Sequence, residues 1–177
     1  MPEALYAVVS YIQGELGIFI NELRAHLMPP QAHLRAHITL LPPRPLLGSE
    51  EDACRTLEKL SHRLHPVKLS FGHAGLFVPI TPTVYLSIEE GANEVRAVHD
   101  ALNTGELLCY EALPYMPHLT VAAMRCDEEA NRVLEIVRRR WAEYDGPRHA
   151  TIDSLTFAID SELDNQWCDI VTFPLRV

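Results

Sequence analysis

The sequence has only eight glycines among its 177 residues, and none of them forms a glycine-rich phosphate loop or a dinucleotide-binding fingerprint. The nucleophile-elbow pattern GxSxG and the zinc-binding pattern HExxH are also absent. Phosphate binding by a backbone cradle, serine hydrolysis from a nucleophile elbow and HExxH metalloprotease chemistry are therefore not indicated.

Long apolar runs and paired cysteine spacings are missing too. No apolar run approaches the roughly 20 residues that a membrane-spanning helix needs, and Met1-Pro2-Glu3-Ala4 lacks the basic start of a signal peptide. Cysteines in no CxxC spacing favour free thiols in a reducing cytoplasm. We therefore expect a cytoplasmic protein with no membrane partner; its four cysteines are Cys54, Cys109, Cys126 and Cys168.

Positive charge is scarce, with 15 Lys and Arg residues against 24 Asp and Glu residues and a net charge of −9. Proteins that grip long nucleic acids usually carry a basic face. An RNA partner, if there is one, is therefore expected to make local contacts, through an RNA end or as a small fragment.

Two short strings stand out from this background. Ala36-His37-Ile38-Thr39-Leu40 and Pro117-His118-Leu119-Thr120-Val121 share the pattern His, apolar, Thr, apolar, and their histidines lie 81 residues apart. Side chains alternate faces along a strand, so His and Thr two positions apart point the same way. The sequence therefore predicts two strands that each offer an imidazole and a hydroxyl on one face.

These residue types suit acid–base chemistry on a phosphate. Histidine, with an ordinary pKa of about 6.5, can both take and give a proton near neutral pH. A threonine hydroxyl can donate to a non-bridging phosphate oxygen, where charge builds up in the transition state. We predict that His37 and His118 are the catalytic acid and base, in a bell-shaped pH profile centred near neutrality, and that Thr39 and Thr120 bind phosphate.

Three further residues are weaker candidates. Arg44 and Arg125 each follow a motif histidine by seven residues and are candidate phosphate contacts, although a solvated surface arginine is the alternative. Tyr115 is a candidate for stacking on a nucleobase, as aromatic side chains do with unpaired nucleotides; core packing is its alternative.

The remaining histidines do not predict a metal site. His62 and His65 are spaced like ligands, but no cysteine or carboxylate stands at a diagnostic spacing beside them. We therefore expect neither a metal nor another cofactor.

The sequence pattern indicates that the two halves of the chain are copies of one unit. Residues 50–60 (EEDACRTLEKL) and 127–137 (DEEANRVLEIV) are identical at five of eleven positions. The order strand, helix, His strand, helix, strand occurs in each half, and strands over about 151–159 and 167–176 close the chain. The pattern predicts a single α+β domain over 1–177, bilobal, with an internal repeat of about 1–78 and 79–177. Two mainly antiparallel sheets with flanking helices would enclose a central cleft.

The paired His-x-Thr motifs, their spacing and the internal repeat resemble the two-histidine (2H) phosphoesterase superfamily, which includes the LigT-like proteins, also called 2′-5′ RNA ligases. The resemblance covers nearly the whole chain and implies a bilobal fold whose two motifs face each other across the cleft. It places His37 and His118 on the catalytic histidines, and Thr39 and Thr120 on the phosphate-holding hydroxyls.

The resemblance implies a metal-independent phosphodiesterase that opens a 2′,3′-cyclic phosphate, on a cyclic nucleotide or an RNA end, to a phosphomonoester. Ligation of RNA through a 2′-5′ bond is the alternative enzyme activity, and a non-catalytic module that binds nucleotides or RNA ends is the alternative of another class. The partner expected is a small nucleotide or an RNA terminus with a cyclic phosphate. We expect a monomer, although no residue pattern bears on the oligomeric state.

Overall fold

The computed structural model describes residues 4–161 and 166–176, so Met1, Pro2 and Glu3, on which the signal-peptide expectation rests, lie outside the described residues. Within these ranges the chain forms eight strands, four α-helices and two short 3-10 helices. In chain order they are β1 (Tyr6–Tyr11), α1 (Gly14–Leu27), a 3-10 turn (Pro29–Gln31), β2 (His37–Arg44), α2 (Glu50–Ser61), β3 (Val67–Leu76), β4 (Thr83–Glu90), α3 (Ala92–Leu102), a second 3-10 turn (Gly105–Leu107), β5 (His118–Ala123), α4 (Asp127–Ala142), β6 (His149–Ile152), β7 (Ser154–Ser161) and β8 (Gln166–Pro174).

Local sequence signals account for the ends of two helices. Ser49 caps α2, because its Oγ accepts a hydrogen bond from the Asp52 backbone N–H at 3.1 Å. Helix α1 ends at Leu27, and a 3-10 turn begins at Pro29, since proline cannot supply the N–H that would continue an α-helix.

The strands form one antiparallel sheet in the order β6-β3-β4-β5-β2-β1-β7-β8. The predicted α+β class is confirmed. The predicted two sheets are one, because β2 and β5 pair directly at Ile38 and Leu119. Four strands lie on either side of this junction, which is the narrowest part of the sheet.

The prediction of a single strand over about 151–159 is wrong in its extent. This segment contains two strands, because the extended structure is interrupted at Asp153, between β6 and β7. Strand β6 pairs with β3 and β7 pairs with β1, so the chain crosses here from one half of the sheet to the other. Strand β3 likewise pairs with β4 rather than with the strands that precede it. The internal repeat stays a prediction.

One hydrophobic core joins the helices to one face of the sheet. Helix α1 packs on β5, α3 packs on β2, α2 packs on β7 and β8, and α4 packs on β3, β4 and β5. The strand residues Ile38, Leu40, Leu119 and Val121 are fully buried in this core. Because strand side chains alternate, the His and Thr residues between them lie on the opposite face of the sheet.

Candidate active site

The two His-x-Thr motifs meet at the junction of β2 and β5. The antiparallel pair is centred on Ile38 and Leu119. Continuing that register by one residue in each direction sets His37 opposite Thr120 and Thr39 opposite His118. The charge of His118 acts on the pKa of His37, as expected for two neighbouring imidazoles. The structure therefore brings the four predicted residues together on one half-buried patch, where each His lies opposite the Thr of the other motif and the two histidines are diagonal to each other.

Both imidazoles are fixed in the same way. His37 Nδ1 lies 2.6 Å from the carbonyl oxygen of Arg35, and His118 Nδ1 lies 2.7 Å from that of Met116. A carbonyl oxygen can only accept, so Nδ1 is the nitrogen that carries the proton in each ring. The neutral tautomer then has its lone pair on Nε2, the nitrogen on the far side of the ring from that carbonyl. Each histidine is thus prepared to accept a proton at Nε2 or, once protonated, to give one.

Burial makes both histidines weaker bases than usual. Burial, and after it the positive charge of the Arg24 guanidinium, together lower the pKa of His37 to about 4. Burial also lowers the pKa of His118, against the opposing effect of its hydrogen bond to the Met116 carbonyl. The pKa of His37 is depressed by His118 as well, as expected for two neighbouring groups of like charge.

A cavity of about 310 Å³ opens beside His37 and Thr39, along β1, β7 and β8. Its polar wall is preorganised: Tyr11 Oη donates to Asp169 at 2.5 Å, Arg35 binds the other Asp169 oxygen at 2.5 Å, and the Arg35 guanidinium lies 3.5 Å from the Tyr11 ring centre. Trp167 completes the aromatic lining. Burial and the bond to Asp169 raise the pKa of Tyr11 to about 12, so Tyr11 remains a hydroxyl donor.

An aromatic wall stands on the other side, beside His118. The rings of Phe77 and Tyr85 stack at 4.2 Å, and each meets the His118 imidazole edge-on, at 4.7 Å and 5.7 Å between centres. Ser87, which pairs with His118 across β4 and β5, is hydrogen-bonded to His73 at 3.1 Å. The two imidazoles therefore have different neighbours: a polar cavity at His37 and stacked aromatic rings at His118.

Arg44 does not contact the site, and its predicted role in phosphate binding is wrong. Its side chain is 1% exposed. It donates to the Pro42 and Leu107 carbonyls and to Asn103, and forms an ion pair with Glu111. Two consecutive buried residues, Leu40 and Leu41, break the strand alternation before Arg44, so its face could not be read from the sequence.

Arg125 and Tyr115 are also placed away from the predicted contacts. Arg125 is exposed in the turn after β5, beyond the end of the strand that carries His118. Tyr115 stacks on His99 with ring centres 4.0 Å apart, and its hydroxyl donates to the Thr39 carbonyl at 2.6 Å. The tyrosine thus supports β2, as in the packing alternative, and is not a base-stacking platform.

Comparison with known proteins places this geometry in a family. The family model of the 2′-5′ RNA ligase superfamily matches residues 12–162. The chain belongs to this superfamily. It is 28% identical to a Bacillus licheniformis protein named as a candidate phosphoesterase, over 96% of this chain and 98% of that protein. A Bacillus pumilus protein of the same designation is 26% identical, over 96% of each chain.

Solved structures share the fold of this superfamily member. Escherichia coli LigT in complex with NADP⁺ has a TM-score of 0.64 at 16% identity, covering 100% of both chains. LigT in complex with 3′-AMP has a TM-score of 0.63 at 15% identity, covering 99% of this chain and 100% of LigT. At these identities the likeness is one of fold.

Reasoning from the sequence missed the cavity of this superfamily member. Tyr11, Arg35, Trp167 and Asp169 come from three distant parts of the chain and are united only by strand pairing. For one further residue, Arg24, the sequence does contain a signal of burial. Arg24 follows Ile20 by four positions and therefore falls on the apolar face of α1.

The sequence predicts neither a metal site nor a membrane-spanning helix, and two observations on the described residues bear on these expectations. In residues 4–161 and 166–176, no three His, Cys, Asp or Glu side chains are grouped closely enough to hold a metal ion. No helix among those residues is long and apolar enough to cross a membrane. The four cysteines are all free thiols.

Proposed function

We propose that this superfamily member is a metal-independent phosphodiesterase that hydrolyses 2′,3′-cyclic phosphates to phosphomonoesters. The observation that carries the proposal is the pair of imidazoles at the β2–β5 junction, each anchored through Nδ1 and each next to a threonine hydroxyl. Opening a cyclic phosphate needs a base to activate water and an acid to protonate the leaving oxygen. Two histidines on one face supply both.

The reaction is a single displacement at phosphorus. One neutral imidazole takes a proton from water at Nε2 as the water oxygen bonds to phosphorus. The other imidazole, protonated, gives its Nε2 proton to the ribose oxygen as the bond from phosphorus to that oxygen breaks. Thr39 and Thr120 donate to the non-bridging oxygens, whose charge increases in the transition state. We propose loss of the 3′-oxygen, which leaves a 2′-phosphate.

The cavity beside His37 supports a small nucleotide as substrate. Its volume of about 310 Å³ lies at the lower end of the range of roughly 300–1,000 Å³ found for small-molecule sites. Tyr11 and Trp167 offer aromatic surface, and the Arg35–Asp169 pair offers polar groups at its edge. The net charge of −9 disfavours a long RNA, and LigT, a protein of similar fold, binds 3′-AMP and NADP⁺.

Turnover of the four 2′,3′-cyclic mononucleotides and of short RNAs with a cyclic-phosphate end tests the proposal. We expect hydrolysis to a 2′-phosphate that continues in excess EDTA, because the proton transfers and charge stabilisation need no Lewis acid. Product chromatography against 2′- and 3′-monophosphate standards measures both rate and position. Loss of activity in EDTA with recovery in zinc or manganese would contradict the metal-independent mechanism, and a 3′-phosphate product would reverse the orientation of the substrate.

Ligation is the second candidate, favoured by the family to which the chain belongs. Formation of a 2′-5′ bond is the same displacement with an RNA 5′-hydroxyl in place of water. Adding a 5′-hydroxyl RNA to the same reactions separates the two activities, since ligation gives a longer RNA and hydrolysis gives a monophosphate end. Binding without either product would identify a non-catalytic module.

A further inference from the structure

Arg24 links the two motif strands from the helix-covered side of the sheet. From α1 its Nη1 donates to the carbonyls of Leu34 and Arg35, each at 3.0 Å, and its Nη2 donates to the Thr120 carbonyl at 2.5 Å. Two of these acceptors immediately precede the first motif, and the third lies within the second motif. A single guanidinium therefore fixes one strand relative to the other.

The burial of Arg24 needs a reason. Arg24 is only 2% exposed. Among the described residues, no carboxylate forms an ion pair with it. Its Nε has no hydrogen-bond partner in the same part of the chain. Arginine is rarely fully buried without an ion pair, because removing the charge from water is costly. Burial lowers even the pKa of this guanidinium, to about 10.

The position of Arg24 explains the shortness of the junction. Strands β2 and β5 share one paired position, Ile38 with Leu119. On one side of that position Arg24 binds the Thr120 carbonyl and Asn21 accepts from the Ala36 N–H at 2.6 Å. On the other side Tyr115 binds the Thr39 carbonyl. Side chains thus satisfy the backbone groups that a longer ladder would have paired.

Arg24 binds the carbonyl that anchors His37 but not the carbonyl that anchors His118. The Arg35 carbonyl accepts from both Arg24 and His37 Nδ1, so the guanidinium sits one carbonyl away from the first imidazole. The carbonyl that anchors His118 belongs to Met116, which Arg24 does not touch. A second positive charge on His37 would oppose that of Arg24, and burial and Arg24 together lower the pKa of His37.

The other charged and titratable groups around His37 do not offset the effect of Arg24 on the pKa of His37. They come from β1, the segment before β2, β5 and β8, and they are Tyr11, His33, Arg35, His118 and Asp169. Asp169, the one carboxylate in this set, is already bound by Arg35 and Tyr11.

We propose that Arg24 is a positioning residue that sets the roles of the two histidines: it holds His37 in the neutral form as the base and leaves His118 as the acid. This inference rests on the proposed hydrolase function and assigns its two proton transfers. Arg24 touches no substrate, since it lies on the helix side of the sheet.

The test is an NMR titration of the histidine rings in the free protein, in the wild type and in Arg24→Met. We expect His37 to titrate below His118 in the wild type. In Arg24→Met the His37 midpoint should rise by about one pH unit, the lower end of the effect of one neighbouring charge. The acid limb of kcat/KM should rise with it, while KM at the pH optimum is kept.

Three further variants test whether a change in the His37 midpoint is due to the charge of Arg24. Arg44→Met removes another buried arginine and should leave the His37 midpoint in place. Arg24→Lys keeps the charge, so its His37 midpoint should stay closer to the wild type. Arg24→Gln keeps hydrogen-bond donors without the charge and should raise the midpoint as Arg24→Met does, so it carries the test if Arg24→Met does not fold. An unchanged His37 midpoint in Arg24→Met, or a wild-type His118 that titrates below His37, would overturn the inference. Because the titration needs no turnover, an absence of hydrolysis would instead overturn the proposed function.

Discussion

Replacing His37 or His118 by alanine is expected to lower turnover of a 2′,3′-cyclic nucleotide by roughly 10²–10⁴-fold, the usual contribution of one general acid or base. Each variant keeps one imidazole but loses one of the two proton transfers. The neighbouring residues stay in place, because Ile38 and Leu119 hold the junction through the buried face. Steady-state kinetics with folding checked by circular dichroism measures the effect.

Matched variants separate catalysis from packing. Thr39→Val and Thr120→Val remove a hydroxyl with little change of shape, and each should cost about 1–3 kcal/mol of transition-state stabilisation, the range for a hydrogen bond to a charged group. His62→Ala removes an exposed histidine just after α2 and should leave turnover unchanged. Near-normal turnover in either motif-histidine variant would contradict the two-imidazole mechanism.

Replacing Arg44 by methionine is expected to lower the free energy of unfolding by about 3–5 kcal/mol, the cost of breaking a buried ion pair. The change leaves Glu111 with His99 as its remaining partner and deprives Asn103 and the Leu107 carbonyl of a donor. Turnover per folded molecule should be kept, because Arg44 does not face the cavity. Urea denaturation measures the loss of stability.

Arg55→Met is the control for Arg44. Arg55 pairs with Glu51 and Asp52 on the surface of α2, with its side chain 53% exposed, and such pairs contribute only about 0–1 kcal/mol. Should Arg44→Met leave the stability unchanged and instead raise KM, the phosphate-binding role predicted from the sequence would be restored.

The placement of the two His-x-Thr motifs on strands could be predicted from the sequence because its information is local. Alternation along a strand sets His and Thr on one face, and two copies of the pattern indicate one site. The sequence contains no comparable signal for how β2 and β5 pair, so the placement of His37 opposite Thr120 became visible only in the fold.

The residues that surround the motifs depend on pairing between distant segments. Arg44 and Tyr115 each occur near a motif in the chain, yet both turn toward the network of Glu111 and His99. Conversely, Tyr11 and Asp169 are 158 residues apart and share a hydrogen bond. Proximity in sequence therefore predicted that the two motifs belong to one patch and misplaced their neighbours, since sheet topology decides which residues surround the motifs.

The pH dependence of kcat/KM for a 2′,3′-cyclic nucleotide tests the two-imidazole mechanism most directly. His37 must be neutral, which sets an acid limb near its pKa of about 4. His118 must be protonated, and burial sets its alkaline limb below the ordinary value of 6.5. The sequence alone predicts an optimum near neutrality, whereas the lowered pKa values of both histidines predict an optimum on the acidic side. A bell with its maximum between those limbs is the expected result, and a flat profile from about pH 5 to 9, with chemistry rate-limiting, would contradict the mechanism.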